Sequence, residues 1–229
     1  MGEGLVASPP WPLTERTAYK QERESRIMDT MTDQGLALTI KPALLNELLT
    51  GALVATDKAA PNGLISVLLV SDGQTLTATA TDRYRLITGS VAVTGGQFTA
   101  LISAADITRL VKLAKDQTTG ADLTLSLIGD LFTVSGTYNT ITARVMSDRY
   151  PPYEQLFTRK VAVIKPEWAE SGITIGLNSK LLATFDKVPH AKGAPMSLDL
   201  VSANEPVLIK IAHEAITWRA ILMPMRSKG

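Results

Sequence analysis

From Leu36 onward the hydrophobic positions follow two spacings in a fixed order, and that order recurs three times. Each stretch opens with a short apolar run, passes into apolar residues spaced three and four apart, and returns to short runs broken by turn pairs. Alternation and short apolar runs mark strands, whereas three-four spacing marks an amphipathic helix. The pattern predicts a unit of strand, helix and three strands, used three times.

In the first unit, Leu36 to Ile40 reads as a strand, and Pro42 suits the first turn of a helix, where its missing N–H is not needed. Leu44, Leu45, Leu48 and Leu49 form the apolar face of that helix. Leu64 to Val70, Leu76 to Ala80 and Arg85 to Val93 are the three strands, with an Asp72-Gly73 turn between the first two. The second unit repeats this with Phe98 to Ile102, then a helix opened by Ser103 and Asp106, a capping box with Asp in place of Glu. Ile107, Leu110, Val111 and Ala114 make its buried stripe. Leu123 to Leu127 and Leu131 to Ser135 flank a Gly129-Asp130 turn, Thr140 to Met146 closes the unit, and Gly95-Gly96 reads as a turn between units.

The third unit begins near Ile173. Asn178 caps a helix with Leu181, Leu182, Phe185 and Val188 on its buried side, followed by strands over Met196 to Val201, Val207 to Ile211 and Ile216 to Met223. A period of roughly 60 residues is an internal repeat. One helix and one small sheet leave apolar faces open, so two units make one domain and a third is left without a mate. The fold class is α+β, helices on one side and antiparallel sheets on the other. The expected division is a flexible tail over 1–35, a two-unit domain over 36–157, a connector over 158–172 and the third unit over 173–229.

The tail differs in kind from the rest. Pro9, Pro10 and Pro12 surround Trp11, and Glu15 to Arg26 is mostly polar, too little apolar surface to offset ordering. A docking peptide around Trp11 is the functional alternative there, and Met28 or Met31 offers a later translation start. Over the whole chain the net charge is +1, which argues against a lysine-coated nucleic-acid binder but leaves room for one basic face. The absence of cysteine removes disulfides, thiolate metal sites and cysteine nucleophiles, and fits a reducing cytoplasm. No apolar run is long enough for a bilayer, and the start lacks the pattern of a secretory signal, so a cytoplasmic location and no membrane partner are expected. His190 and His213 stand in loop-like settings without an acid–nucleophile pair and read as exposed turn residues, and no phosphate loop or carboxylate cluster appears. Neither catalysis, nor a metal, nor a cofactor is expected.

Four stretches resemble one family, the bacterial DNA polymerase III beta sliding clamp, a processivity factor. They are Ala80-Thr81-Asp82-Arg83-Tyr84-Arg85-Leu86, the connector opening Tyr150-Pro151-Pro152-Tyr153, Ile175-Gly176-Leu177-Asn178, and the ending Ile221-Leu222-Met223-Pro224-Met225-Arg226. They occur in family order, and the likeness runs over about residues 36 to 226. It implies that the first two units correspond to the family's middle domain and the third to the second half of its last domain. The family's first domain and the other half of the last have no counterpart here.

The resemblance also implies a site. Thr81, Arg85, Leu86, Pro151, Gln155, Leu156, Asn178, Leu181, Leu222, Met223, Pro224, Met225 and Arg226 match positions of a pocket for short peptides carried by polymerases and clamp loaders. Leucine and methionine suit hydrophobic anchors, methionine being adaptable, with Arg85 and Arg226 at the rim. Pro224 ends the strand and frees the residues beyond it. The helices would face duplex DNA, whatever its sequence, through Lys41, Lys58, Arg109, Lys112, Lys115, Lys180 and Lys187, diluted by Glu47, Asp116 and Asp186. Rings of roughly twelve such units would take about four copies of this chain, a trimer being the alternative. A different reading is an interaction module that captures clamp-binding peptides without encircling DNA.

Overall fold

The computed structural model describes residues 37–56, 65–117, 120–157, 174–200 and 202–225. The tail, Lys58, the connector from 158 to 172 and Arg226 lie outside the described residues. Twelve strands appear among them: β1 Ala37–Ile40, β2 Ser66–Asp72, β3 Thr75–Thr81, β4 Arg85–Ala92, β5 Thr94–Gly95, β6 Gln97–Ser103, β7 Leu123–Ile128, β8 Leu131–Ser135, β9 Thr140–Arg144, β10 Met196–Asp199, β11 Val207–Ile211 and β12 Ile216–Leu222. The helices are α1 Pro42–Leu53, α2 Ala104–Asp116, α3 Glu154–Phe157 and α4 Ser179–Thr184, the last running into a 3-10 turn over Phe185–Lys187.

The first two units exchange their opening strands. β1 leaves its own unit to pair with β7 of the second, and β6 leaves the second to pair with β2 of the first, both antiparallel. The result is a sheet ordered β5-β1-β7-β8-β9 and another ordered β10-β11-β12-β4-β3-β2-β6. The exchange is reciprocal, so neither unit completes a sheet without the other. Gly95-Gly96 is more than a turn: Thr94–Gly95 adds an edge strand to β1, and a Cβ at Gly95 would lie 2.4 Å from the Ala37 carbonyl oxygen.

The helices pack against each other over these sheets as their periodicity predicts, with one shift of phase. In α1, Leu45, Leu48 and Leu49 are buried and Leu44 only partly so. In α2 the stripe is Ile107, Leu110, Leu113 and Ala114; Leu113 takes the place expected for Val111, which is half-buried. The Ser103 hydroxyl accepts the Asp106 backbone N–H at 3.1 Å and donates to the Asp106 carboxylate at 2.9 Å. The shorter Asp side chain thus ties to the cap hydroxyl rather than to the cap backbone. The Asp72-Gly73 turn is held in the same manner: the Asp72 carboxylate accepts the N–H groups of Gln74 and Thr75 at 2.9 and 2.6 Å, and these bonds lower its pKa.

The third unit joins the first through strand pairing. β12 runs antiparallel to β4 in register from Ile216 opposite Val91 to Leu222 opposite Arg85. Trp218 projects from β12 and its ring packs against both α1 and β4. A Cβ at Gly51 of α1 would lie 2.2 Å from its ring, and one at Gly89 of β4 would lie 2.3 Å away. Both glycines therefore make room for the indole. His213, expected to be exposed, is tied in here as well: its side chain is 12% exposed, its Nδ1 accepts the N–H of Ala215 and Ile216, and its Nε2 lies 3.2 Å from Glu47 of α1.

Candidate peptide-binding site and DNA-facing helices

The tight turn between β3 and β4 is the frame of the candidate site. Arg83 adopts a positive φ of 77°. Asp82 fixes that conformation by accepting the Tyr84 and Arg85 N–H groups at 3.0 and 2.8 Å, while the Thr81 hydroxyl donates to the Arg85 carbonyl at 2.8 Å and accepts the Arg83 N–H at 3.2 Å. The second Asp82 oxygen pairs with Arg85 Nε at 2.8 Å, and these side chains are 5% and 10% exposed. Arg85 reaches further: its Nη1 donates to the Thr184 hydroxyl at the end of α4, which in turn donates to the Leu181 carbonyl at 2.5 Å. Arg85 therefore bridges the first and third units instead of standing at an open rim.

The chain after β12 passes beside this turn. Met223 N–H donates to the Tyr84 carbonyl at 2.8 Å, and Met225 N–H donates to the Gly176 carbonyl at 2.8 Å. The second contact needs a close approach, since a Cβ at Gly176 would stand 3.3 Å from the Met225 oxygen. Asn178 Oδ1 caps α4 by accepting the N–H groups of Lys180 and Leu181 at 3.0 and 3.3 Å. Two hydrogen bonds on either side of Pro224 thus hold the tail between the 82–84 turn and the entry to α4. Tyr84, Met223 and Met225 are 65%, 39% and 55% exposed, an unusual concentration of open apolar side chains. Leu86 and Leu222 are buried, and Leu181 is half-buried.

Residues 150–157, which lead into the connector, lie on the face of the long sheet that carries Leu68 and Arg219. Register places Leu68, Thr79, Thr88 and Arg219 in one row across β2, β3, β4 and β12. Arg219 donates to the Phe157 carbonyl at 3.1 Å, with its guanidinium 4.3 Å from the centre of the Phe157 ring. An open cavity of about 360 Å³ is lined by Leu68 and by Tyr150, Pro151, Pro152, Tyr153, Glu154 and Gln155. Tyr150 and Tyr153 meet edge to face at 6.0 Å. Burial, with Tyr153 adding to it, pushes the Tyr150 hydroxyl well above its usual pKa, and that oxygen is buried without a hydrogen-bond partner among the described residues.

Of the residues expected at the site, Thr81, Arg85, Asn178, Leu181, Met223, Pro224 and Met225 are linked through the contacts just given, while Leu86 and Leu222 are buried in β4 and β12. Pro151 and Gln155 are exposed on the connector and line its cavity, and Leu156 is half-buried in α3. On the helices, Lys41, Arg109, Lys112, Lys115, Lys180 and Lys187 are all exposed. Arg109 is the least free of these, bound to Asp106 at 2.8 Å. Glu47, expected to dilute the charge of this face, lies 3.2 Å from His213 Nε2. Among the described residues no group of three His, Asp or Glu converges as a metal ion would require, and no helix is long and apolar enough to cross a membrane.

No family model matches the chain, and no curated protein matches it. Solved structures do. The DNA polymerase III beta subunit of Thermotoga maritima superposes with a TM-score of 0.71 over 86% of this chain and 67% of its own, at 15% identity. The DNA polymerase sliding clamp of Pseudomonas aeruginosa gives 0.68 over 85% and 68%, at 17% identity. A DnaN sliding clamp of the same species, bound to griselimycin, gives 0.69 over 85% and 66%, at 17% identity.

This chain has the sliding-clamp fold. It spans about two thirds of the length of each of these clamps.

Several residues of the site were not legible from the sequence pattern. Asp82 and Thr184, which hold Arg85, gave no sign beyond the short Thr-Asp string and a threonine late in a helix. The Arg219–Phe157 contact joins residues 62 positions apart, beyond what spacing reveals. Trp218 did carry a signal: a tryptophan in a last strand, with a glycine inside a helical stretch at Gly51 and another inside a strand at Gly89.

Proposed function

We propose that this chain is a DNA sliding clamp whose copies assemble into a ring around duplex DNA and hold replication proteins by their clamp-binding peptides. The observation that carries this reading is the pairing of β12 along β4. It makes the third unit continue the sheet of the first, which serial units around a ring require. The exposed cations at the start of α1 (Lys41), on α2, and on α4 and the 3-10 turn after it support a backbone-directed, sequence-blind attraction, weak enough to slide. Tyr84, Met223 and Met225 support the peptide pocket, because the tail is hydrogen-bonded in place while its side chains stay open. A replicative polymerase and a clamp loader are the proposed carriers of such peptides, and the chain itself is proposed to perform no chemistry. By unit count, roughly four copies make a ring.

The test is retention on DNA. Protein loaded on a nicked circular duplex at low salt remains bound at about 0.5 M salt, where simple electrostatic binding is lost, and leaves when the circle is cut. Equal loss from circle and linear duplex contradicts encirclement. The second reading, a peptide-capturing module that surrounds nothing, is favoured by the open Tyr84, Met223 and Met225 side chains, which a single chain presents without assembly. It is supported if a short hydrophobic clamp-binding peptide binds while retention is absent.

A further inference from the structure

Among the described residues only one that is not glycine takes a positive φ, and it is Arg83, at 77°. Glycine adopts that conformation at no steric cost and asparagine at little, whereas an arginine is held there against its own preference. The neighbouring side chains do the holding: Thr81 accepts the Arg83 N–H, and Asp82 accepts those of Tyr84 and Arg85. None of these bonds uses the Arg83 side chain, so the turn itself has no need of a guanidinium. Backbone strain kept where a smaller residue would relieve it gathers at ligand contacts.

The side chain is also unspent. Arg83 is exposed, and its guanidinium enters no ion pair or hydrogen bond among the described residues. Three stretches meet here: 81–86, 175–178 and 222–225. Their other charged residues, Asp82 and Arg85, are paired with each other and almost fully buried. Asp82 has nothing left for Arg83, since one oxygen takes two backbone N–H groups and the other takes Arg85 Nε. The stretches 175–178 and 222–225 carry no charge at all. Arg83 is therefore the one open charge among the described residues of these stretches. It stands one residue from Tyr84, whose carbonyl accepts the Met223 N–H.

We infer that Arg83 is a specificity-determining contact of this site and selects ligands that carry a carboxylate beside their apolar anchors. A guanidinium presents two parallel N–H donors that match a carboxylate, and it stays charged at any working pH. Tyr84, Met223 and Met225 offer the apolar surface next to it. A lone acid would meet only a solvated cation, and a lone apolar anchor would leave that cation idle; one ligand with both uses the whole site. The carboxylate has two sources, an acidic side chain within the peptide or the peptide's own C-terminus. This inference deepens the peptide-site reading above and rests on it.

The test is fluorescence anisotropy of the full chain with three dye-labelled peptides that share a Leu-Leu-Phe core. Two have amidated ends and differ only in an Asp or an Asn beside the core; the third has the Asn and a free C-terminus. The wild type is expected to prefer the Asp peptide about three- to fivefold at low salt, the size of an exposed ion pair, and to lose the preference at about 0.5 M salt. Arg83→Gly suits the positive φ, so it is expected to melt no lower than wild type while its Asp-to-Asn ratio falls to about one. Arg83→Lys, a point charge without the fork, keeps part of the ratio. A gain for the free C-terminus that Arg83→Gly abolishes supports the same contact with the chain end as its source. No preference in the wild type for either carboxylate, or an equal one in Arg83→Gly, overturns the inference and leaves the peptide site standing. Failure of all three peptides to bind the wild type overturns the peptide site itself, and this contact with it.

Discussion

Trp218 lies directly opposite Gly89 across the β12–β4 seam, and its ring occupies the space that any side chain at position 89 would need. Gly51, from α1, bounds the same ring on its other side. The third unit is therefore keyed into the first by one large side chain and two absent ones.

Substitution of Gly51 by alanine separates two effects of opposite sign. Helix propensity alone favours alanine by about 1 kcal/mol, whereas overpacking costs about 1–3 kcal/mol. With 2.2 Å to the ring, overpacking wins. Gly51→Ala and Gly89→Ala are each expected to lower stability in urea titration and to shift Trp218 emission. A Gly51→Ala protein more stable than wild type contradicts the keyed seam.

Arg85 carries a different load. Its removal leaves the buried Asp82 carboxylate unpaired and cuts the tie to Thr184 on α4. Arg85→Ala is expected to cost about 3–5 kcal/mol, the usual penalty for breaking a buried pair, with Arg85→Lys between. Chemical denaturation checks this, and a change under about 0.5 kcal/mol would place the side chain at a solvated rim after all.

How much of this was readable beforehand depends on the range of the interactions. The helices, their caps and most strands came through because their periodicity is local: Asn178, Ser103 and Pro42 all stand where a helix starts. Val111 and Leu113 are two positions apart on one helix, and only the packing partner decides which of them is buried. The exchange of β1 and β6 was illegible, because a strand's sequence states that it is half-buried but not in whose sheet. The site was legible as motifs and not as roles. Met223 and Met225 are open, while Arg85, next to the same motif, is buried against Asp82.

Met225 tests the pocket with little structural cost, since it is 55% exposed. Met225→Glu is expected to weaken binding of a short hydrophobic clamp-binding peptide about tenfold, read by fluorescence anisotropy, and to leave the melting temperature unchanged. Unchanged affinity removes Met225 from the site.

The basic helix face is tested at Lys112 and Lys115, whose side of α2 is open, whereas neighbouring Arg109 is held by Asp106. Their joint replacement by glutamate is expected to weaken duplex binding and to flatten its salt dependence by about two units of slope, one for each phosphate no longer neutralised. Affinity and slope equal to wild type would show that α2 does not face DNA.

The central claim is that copies of this chain close a ring. Light scattering on size-separated protein at micromolar concentration tests it most directly. The account predicts a discrete assembly of four chains of 24.6 kDa each. A monomer at that concentration contradicts it, because one chain with three units has nothing with which to surround a duplex.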